Sequence, residues 1–428
     1  MAAQFMISST QSGGGKTTVT LGLLRALARR GHSVQPFKCG PDYIDTKFHR
    51  IASGRESINL DSFMSSAEHV RGLFSHYGAD ADVRLVEGVG GFFDGYDHSK
   101  GSSCEIAKTL NLPVVLVINA ASVGYSVGAT ILGFKNFDPQ ANVAGVIFNN
   151  VGSATHFQFL KSACDEVGLP CFGYVKRNKA MAIPSRHLGL TILEEEKMND
   201  FIDLAADMVE EGVDFNAIIH SFRGQAPEGY ELPELPKTKL RIAMASDEAF
   251  NFIYPHNVKR LEQAAVDGIV HKFSPLRDGL LPEADLIYLP GGYPELFAEQ
   301  LTANKAMRQQ INDFAERGGM IFAECGGMIY LTQMLDGHDM CGVLPLKTSM
   351  ENPRLHLGYR IIDTDAGQYR GHEFHYSEIA ELQPLTSIAR QFNARGGEVA
   401  TPLYRYKNVI AGYTHFYWGE TNILNLWQ

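Results

Sequence analysis

Short apolar runs alternate with amphipathic stretches along the whole chain, the pattern of βαβ units built on parallel sheets. In the first half the runs at 5–9, 34–38, 83–87, 114–119, 143–149 and 171–175 predict strands. Between the first two, residues 17–30 set Leu21, Leu24 and Leu27 on one helical face, and Gly31 stands where a helix stops. The second half repeats the style, with strands expected over 241–245, 266–273, 286–289, 320–324, 356–362, 372–379 and 409–413. Between the halves, RGQAPEGYELPELPKTK at 223–239 breaks both periodicities with three prolines and polar filler. The expected organisation is α/β in two domains, 1–222 and 240–428, joined by a linker at 223–239.

Composition narrows the function classes. A chain of 428 residues with 45% hydrophobic and 20% charged residues is long enough for two or three cores, and it excludes disorder, collagen and coiled coil. Lys+Arg 38 against Asp+Glu 48 leaves a net charge of −10 without a basic run, so nucleic acid is not an expected partner. No apolar run reaches the ~18 residues of a membrane span. The opening MAAQFMISST lacks the charged and apolar regions of a signal peptide. The six cysteines form no CxxC pair or metal-ligand spacing, and a reducing cytoplasm is the expected location.

The first strand runs into Ser12-Gly13-Gly14-Gly15-Lys16-Thr17-Thr18 and then a helix. Consecutive glycines turn backbone N–H groups toward a phosphate, Lys16 can reach the β and γ oxygens, and Thr17 offers a hydroxyl to Mg²⁺. The strict phosphate-loop pattern has Gly where Thr10 stands, so this is a variant, and ATP is the expected co-substrate. A Mg·ATP site needs a carboxylate at a strand's C-terminal end, and Glu87 in VRLVEGVGG supplies it. Asp42 and Asp45, in KCGPDYID, follow the second strand at the same sheet edge; Asp42 beside Pro41 also reads as a turn residue.

A second chemistry stands in the other half. The run 320–324 reads as a buried strand, Cys325-Gly326-Gly327 as a tight turn and 328–335 as a helix. Such an elbow is expected to expose the cysteine above the sheet at a helix N-terminus, where a thiolate is favoured. An acyl-transfer cysteine also needs oxyanion donors and a base. Gly292 in LPGGYP and Gly326 can present N–H groups, and His415 in GYTHFYW is the expected base, with His372 and His375 in RGHEFHY as competitors.

The phosphate loop, the Asp42/Asp45 pair, VEGVGGFFDG, the linker, PGGYPE and AECGGMIYL occur in an order that resembles the cobyrinate a,c-diamide synthase family. FKCGPDYID, IPSRHLGL (183–190), RIAMASDEAFNFIYP, LGYR and RGHEFHYS extend the likeness over essentially the whole chain. The resemblance implies an N-terminal synthetase domain similar to dethiobiotin synthetase and a C-terminal class I glutamine amidotransferase domain. It further implies ATP-dependent amidation of the a and c carboxylates of a tetrapyrrole, with nitrogen from glutamine, through acyl phosphates in cobalamin biosynthesis. By position, Thr10, Gln11 and the run to Thr18 correspond to the ATP loop, and Thr17, Glu87 and Asp45 to magnesium ligands. Asp42 and Asp45 correspond to acids that orient substrate carboxylates or metal, Cys325 to the glutaminase nucleophile and His415 to the residue that activates it. Tyr417, where many class I amidotransferases carry Glu, points to a Cys-His dyad.

Alternatives keep the chemistry and change the macrocycle, to hydrogenobyrinate or nickel-sirohydrochlorin, or to cobyric acid synthase with other side chains. A switch-type partitioning ATPase is a different class, but Gln11 stands at its signature lysine position and it has no use for a cysteine elbow. A glutaminase half kept only for binding would release no glutamate. A homodimer is compatible with the resemblance.

Overall fold

The computed structural model describes residues 2–178, 181, 195–225 and 230–428; the IPSRHLGL phrase lies outside them. The chain divides into two compact units, one ending at Leu232 and one running from Pro233 to Gln428.

The first unit is built on strands β1 (Ala2–Ser9), β2 (Val34–Cys39), β3 (Ile58–Leu60), β4 (Val83–Glu87), β5 (Val114–Asn119), β6 (Val143–Val151) and β7 (Cys171–Lys176). They run parallel in the order β3-β2-β4-β1-β5-β6-β7. β1 is buried on both faces, which is why it reads as a continuous apolar run. Residues Arg223–Gly224, expected as linker, form a short strand, β8, antiparallel to Ala2–Ala3. Helix α1 (Lys16–Arg29) follows β1, and α2 (Ile44–Ser53) follows β2. Leu21, Leu24 and Leu27 of α1 are buried, and so is Leu23, because a helix at Glu195–Gly212 covers a second side. Arg29 pairs there with Asp203 and Asp207.

The second unit begins with β9 (Ile242–Ala245), β10 (Val270–Phe273), β11 (Leu286–Leu289) and β12 (Met320–Glu324). Its main sheet runs β10-β9-β11-β12 and then Val409–Gly412, all parallel, with antiparallel strands beyond. The expected strand at 266–273 is confined to its last four residues. The expected strand at 372–379 is instead the end of Gly367–His375 and the start of Glu378–Glu381, which belong to different sheets. The helix expected at 328–335 is Gly326–Leu331, followed by a two-residue strand at Met334–Leu335. Apolar side chains of Phe250, Ile287, Ile321, Met328 and Tyr330 fill the core beneath Cys325, each fully buried one contributing about 1.5–3 kcal/mol. A five-stranded antiparallel sheet containing Gly367–His375 and His415–Tyr417 lies in the same unit. Among the described residues no helix is long and apolar enough to cross a membrane.

Candidate functional site

In parallel α/β sheets, ligands meet the carboxyl ends of the strands where the order changes direction. β1 lies between β4 and β5 at such a point. A cleft of about 810 Å³ opens there, lined by Ser12, Gly13, Gly15, Lys16, Thr17 and Thr18 of the loop and by Lys38, Asp42, Asp45 and Glu87. Thr10, Gln11 and Gly14, expected in the ATP loop, are not part of that lining. Gly15 has φ 95°, and a Cβ there would strike the Asn149 side chain, so the turn into α1 requires glycine. Lys16 Nζ donates to Gly90 O at 2.6 Å.

At the head of α1, Thr17 Oγ1 donates to Glu87 Oε1 at 2.8 Å and lies 3.5 Å from Asp45 Oδ2. Lys38, which the sequence reading left in a core strand, bridges the same two acids, 2.7 Å from Asp45 and 3.0 Å from Glu87. It meets Glu87 because the two are register partners on adjacent parallel strands. His49 Nε2 donates to the other oxygen, Glu87 Oε2, at 2.7 Å, and its Nδ1 is 2.9 Å from Ser57 Oγ. Burial works to raise the Glu87 carboxyl, but Lys38 and His49 hold it well below the usual range. Burial likewise works against the Lys38 ammonium, and Asp45, Glu87 and Asp42 more than reverse it. So many ionisable groups out of water are weak evidence for stability, since the desolvation of each costs several kcal/mol. Their concentration in a cleft marks a working site.

Asp42 meets its turn reading and also lines the cleft. One carboxylate oxygen, Oδ1, accepts from the backbone N–H groups of Ile44 and Asp45 at 2.8 and 2.9 Å, closing the turn into α2. The turn reading given by Pro41 is therefore realised at Oδ1, although Asp42 still lines the cleft. Half-buried Lys47, one turn into α2, has its ammonium lowered to about 8 by burial.

The second constellation surrounds Cys325. β12 ends at Glu324, and Cys325 takes φ 46°, ψ −108° before the helix Gly326–Leu331. A left-handed φ on a non-glycine residue costs on the order of 1–3 kcal/mol and concentrates at functional turns. Its N–H donates to Gly412 O at 2.7 Å, which ties the elbow to the strand leading to His415. The expectation of an exposed thiolate is corrected here. Cys325 is only 4% exposed, and burial, with Glu295, Glu373 and Glu324 nearby, pushes the thiol upward despite the Gly326 N–H. The thiol donates weakly to Phe374 O at 3.8 Å. The neighbouring Glu295 carboxyl is itself raised to about 7 by burial.

Gly292 and Gly326 are brought together: a Cβ on Gly326 would stand 2.9 Å from Gly292 N. His415 lies against Gly291 of the same turn, where an added Cβ would land on its ring. Burial, then His372 and His375, push the His415 imidazole well below its ordinary value, so the ring is neutral at rest. The competing histidines have other partners. His372 Nδ1 is 3.0 Å from the Tyr254 hydroxyl. His375 lies between Glu373 at 2.8 Å and Ser377 O at 3.0 Å. Glu373 also takes Arg360 Nε at 2.5 Å. His356, Glu373 and His375 lie close enough to share a metal ion. However, Arg360 and His375 already occupy the carboxylate, and the His356 and His375 rings are stacked at 4.7 Å, so their in-plane lone pairs do not converge.

On the roles the resemblance implies, Gly291→Ala is expected to lower glutamine hydrolysis by at least ~10²-fold by displacing the His415 ring, with amidation from free ammonia unchanged. Parallel assays with the two nitrogen sources check it.

Residues 5–190 match the family model of the CobQ/CobB/MinD/ParA nucleotide binding domain, and residues 241–423 match that of the CobB/CobQ-like glutamine amidotransferase domain. A cobyrinate a,c-diamide synthase of Salmonella typhimurium strain LT2 is 40% identical, covering 97% of this chain and 95% of the relative. A hydrogenobyrinate a,c-diamide synthase of Brucella abortus biovar 1 is 39% identical over 96% of this chain and 97% of its own length. A cobyrinate a,c-diamide synthase of Listeria innocua serovar 6a is 38% identical over 97% of this chain and 96% of its own length.

Proposed function

Starting from the premise that the chain belongs to the family of cobyrinate and hydrogenobyrinate a,c-diamide synthases, we propose that Cys325 and His415 free ammonia from glutamine and that the cleft around Lys16 activates the acceptor carboxylate. The chain is an amidating ligase of cobalamin biosynthesis with a nucleotide-binding domain and a glutamine amidotransferase domain. The observation that carries the assignment of residues is the strained Cys325 turn, tied by one hydrogen bond to the strand that leads to His415.

The Cys325 sulfur attacks the glutamine carboxamide carbon as neutral His415 takes the thiol proton. N–H groups of Gly292 and Gly326 receive the developing oxyanion. His415 returns the proton to the departing ammonia, and water releases glutamate from the thioester. Because the buried thiol is protonated at rest, sulfur is activated only when substrate and base are both in place.

In the nucleotide-binding domain a carboxylate of the macrocycle attacks the γ-phosphorus of ATP, ADP leaves as the bond to the β-phosphate breaks, and ammonia then displaces phosphate from the resulting acyl phosphate. Lys16 neutralises charge developing on the phosphates. Thr17, Asp45 and Glu87 converge as hard oxygen donors, the set a magnesium ion takes, and they are the residues that would hold it. When bound, that ion supplies positive charge against the β and γ phosphates. Lys38 pairs with Asp45 and Glu87 and holds Glu87 ionised. Thioester hydrolysis needs water and an acyl phosphate must be kept from it, a conflict met by giving each reaction its own domain.

Six free cysteines accord with a reducing cytoplasm. A homodimer is the assembly we assign, and sedimentation tests it. Cobyrinate is the macrocycle we favour. Incubation with cobyrinate, hydrogenobyrinate or nickel-sirohydrochlorin, Mg·ATP and glutamine is expected to convert two carboxyls of cobyrinate to amides by mass spectrometry. Amidation confined to another macrocycle would reassign the substrate, and none with any would overturn the reading.

A further inference from the structure

A cysteine–histidine pair works fastest when a third group sets the plane of the imidazole and favours its protonated form. Tyr417, two residues beyond His415, keeps aromatic company, 6.4 Å from His256 and edge-on to Tyr254 at 5.5 Å. Tyr254 in turn sets its hydroxyl 3.0 Å from His372 Nδ1. His372 is the register partner of His415 on the adjacent antiparallel strand, and the two rings stack with centroids 4.9 Å apart and planes 16° from parallel. Gly371 permits the approach, since a Cβ there would strike the His415 backbone.

We infer that His372 is a positioning residue for His415: its ring, anchored by Tyr254, fixes the plane of the base and takes over the orienting work of a triad carboxylate. The inference rests on His415 being the glutaminase base. His372 is buried and its imidazole is lowered to about 3, first by burial and then by Arg360, so it presents a neutral aromatic face.

The test compares His372→Phe, which keeps a flat ring, with His372→Leu, which removes it, in the full-length enzyme. His372→Leu is expected to lower kcat for glutamine hydrolysis about 30- to 100-fold while KM for glutamine moves less than about 3-fold. His372→Phe keeps the ring but loses the hydrogen bond to Tyr254, so a fall of about 3- to 10-fold in kcat is expected. Tyr254→Phe keeps its ring and loses only the anchor, with an expected fall of about 3- to 10-fold in kcat. Thermal midpoints and ammonia-dependent amidation report folding. Wild-type kcat in His372→Leu, or an equal fall in His372→Phe and His372→Leu, overturns the inference. If His372→Leu does not fold, unchanged kcat in Tyr254→Phe overturns it. Retained glutamine hydrolysis in His415→Ala would instead sink the identification of the base.

Discussion

Cys325→Ala is expected to abolish glutamine-dependent amidation, by at least ~10³-fold, while amidation from free ammonia stays within about 2-fold of the parent. The sulfur is the proposed attacking atom, and alanine leaves the carboxamide without a nucleophile even if His415 and the oxyanion donors remain. The change removes one buried sulfur from a core that includes Ile321, Met328 and Leu331, a loss of order 1 kcal/mol or less for a group of that size, too small to unfold the unit. Free ammonia bypasses that station, so its retention separates loss of nitrogen supply from loss of ligase chemistry. Glutamate release measured beside amide formation completes the test. If both nitrogen sources work unchanged in the variant, the nucleophile is misassigned; if the parent releases no glutamate, the domain only binds.

Lys16→Ala is expected to reduce amidation by at least ~10³-fold with glutamine and ammonia alike, because both routes pass through the same activated carboxylate. Lys16 is buried at the head of α1, and its ammonium rests on Gly90 O at 2.6 Å. That contact holds a positive charge in the cleft where the β and γ phosphates are read to lie. Weakened ATP binding by equilibrium dialysis should accompany the loss. Unaltered turnover from either source would remove the loop from the chemistry.

Much of this could be read before folding was considered. The strand at β1, the glycine run and the helix α1 form one local signal, because a phosphate loop is made by neighbours in the chain. The elbow at Cys325 is legible for the same reason, with a β-rich run, two glycines and a helix in sequence. The short strands at Thr386–Ser387, Ala389–Asn393 and Glu398–Val399 lie outside the expected set, since several of their residues are exposed and their apolar alternation is weak.

Local pattern thus determined the order of elements, the glycine loop before α1 and the cysteine turn after β12, all of which depend on residues a few positions apart. Tertiary structure alone decided which ionisable groups meet. Lys38 joins Glu87, 49 residues away, only through the register of β2 on β4. His372 stacks on His415 only because their strands pair at that level. Depth decided the charge states as well: the helix start favours a thiolate at Cys325, but removal from water outweighs one N–H and keeps the proton on sulfur. Register and burial are properties of the assembled sheet, and the energy of a charge depends on both.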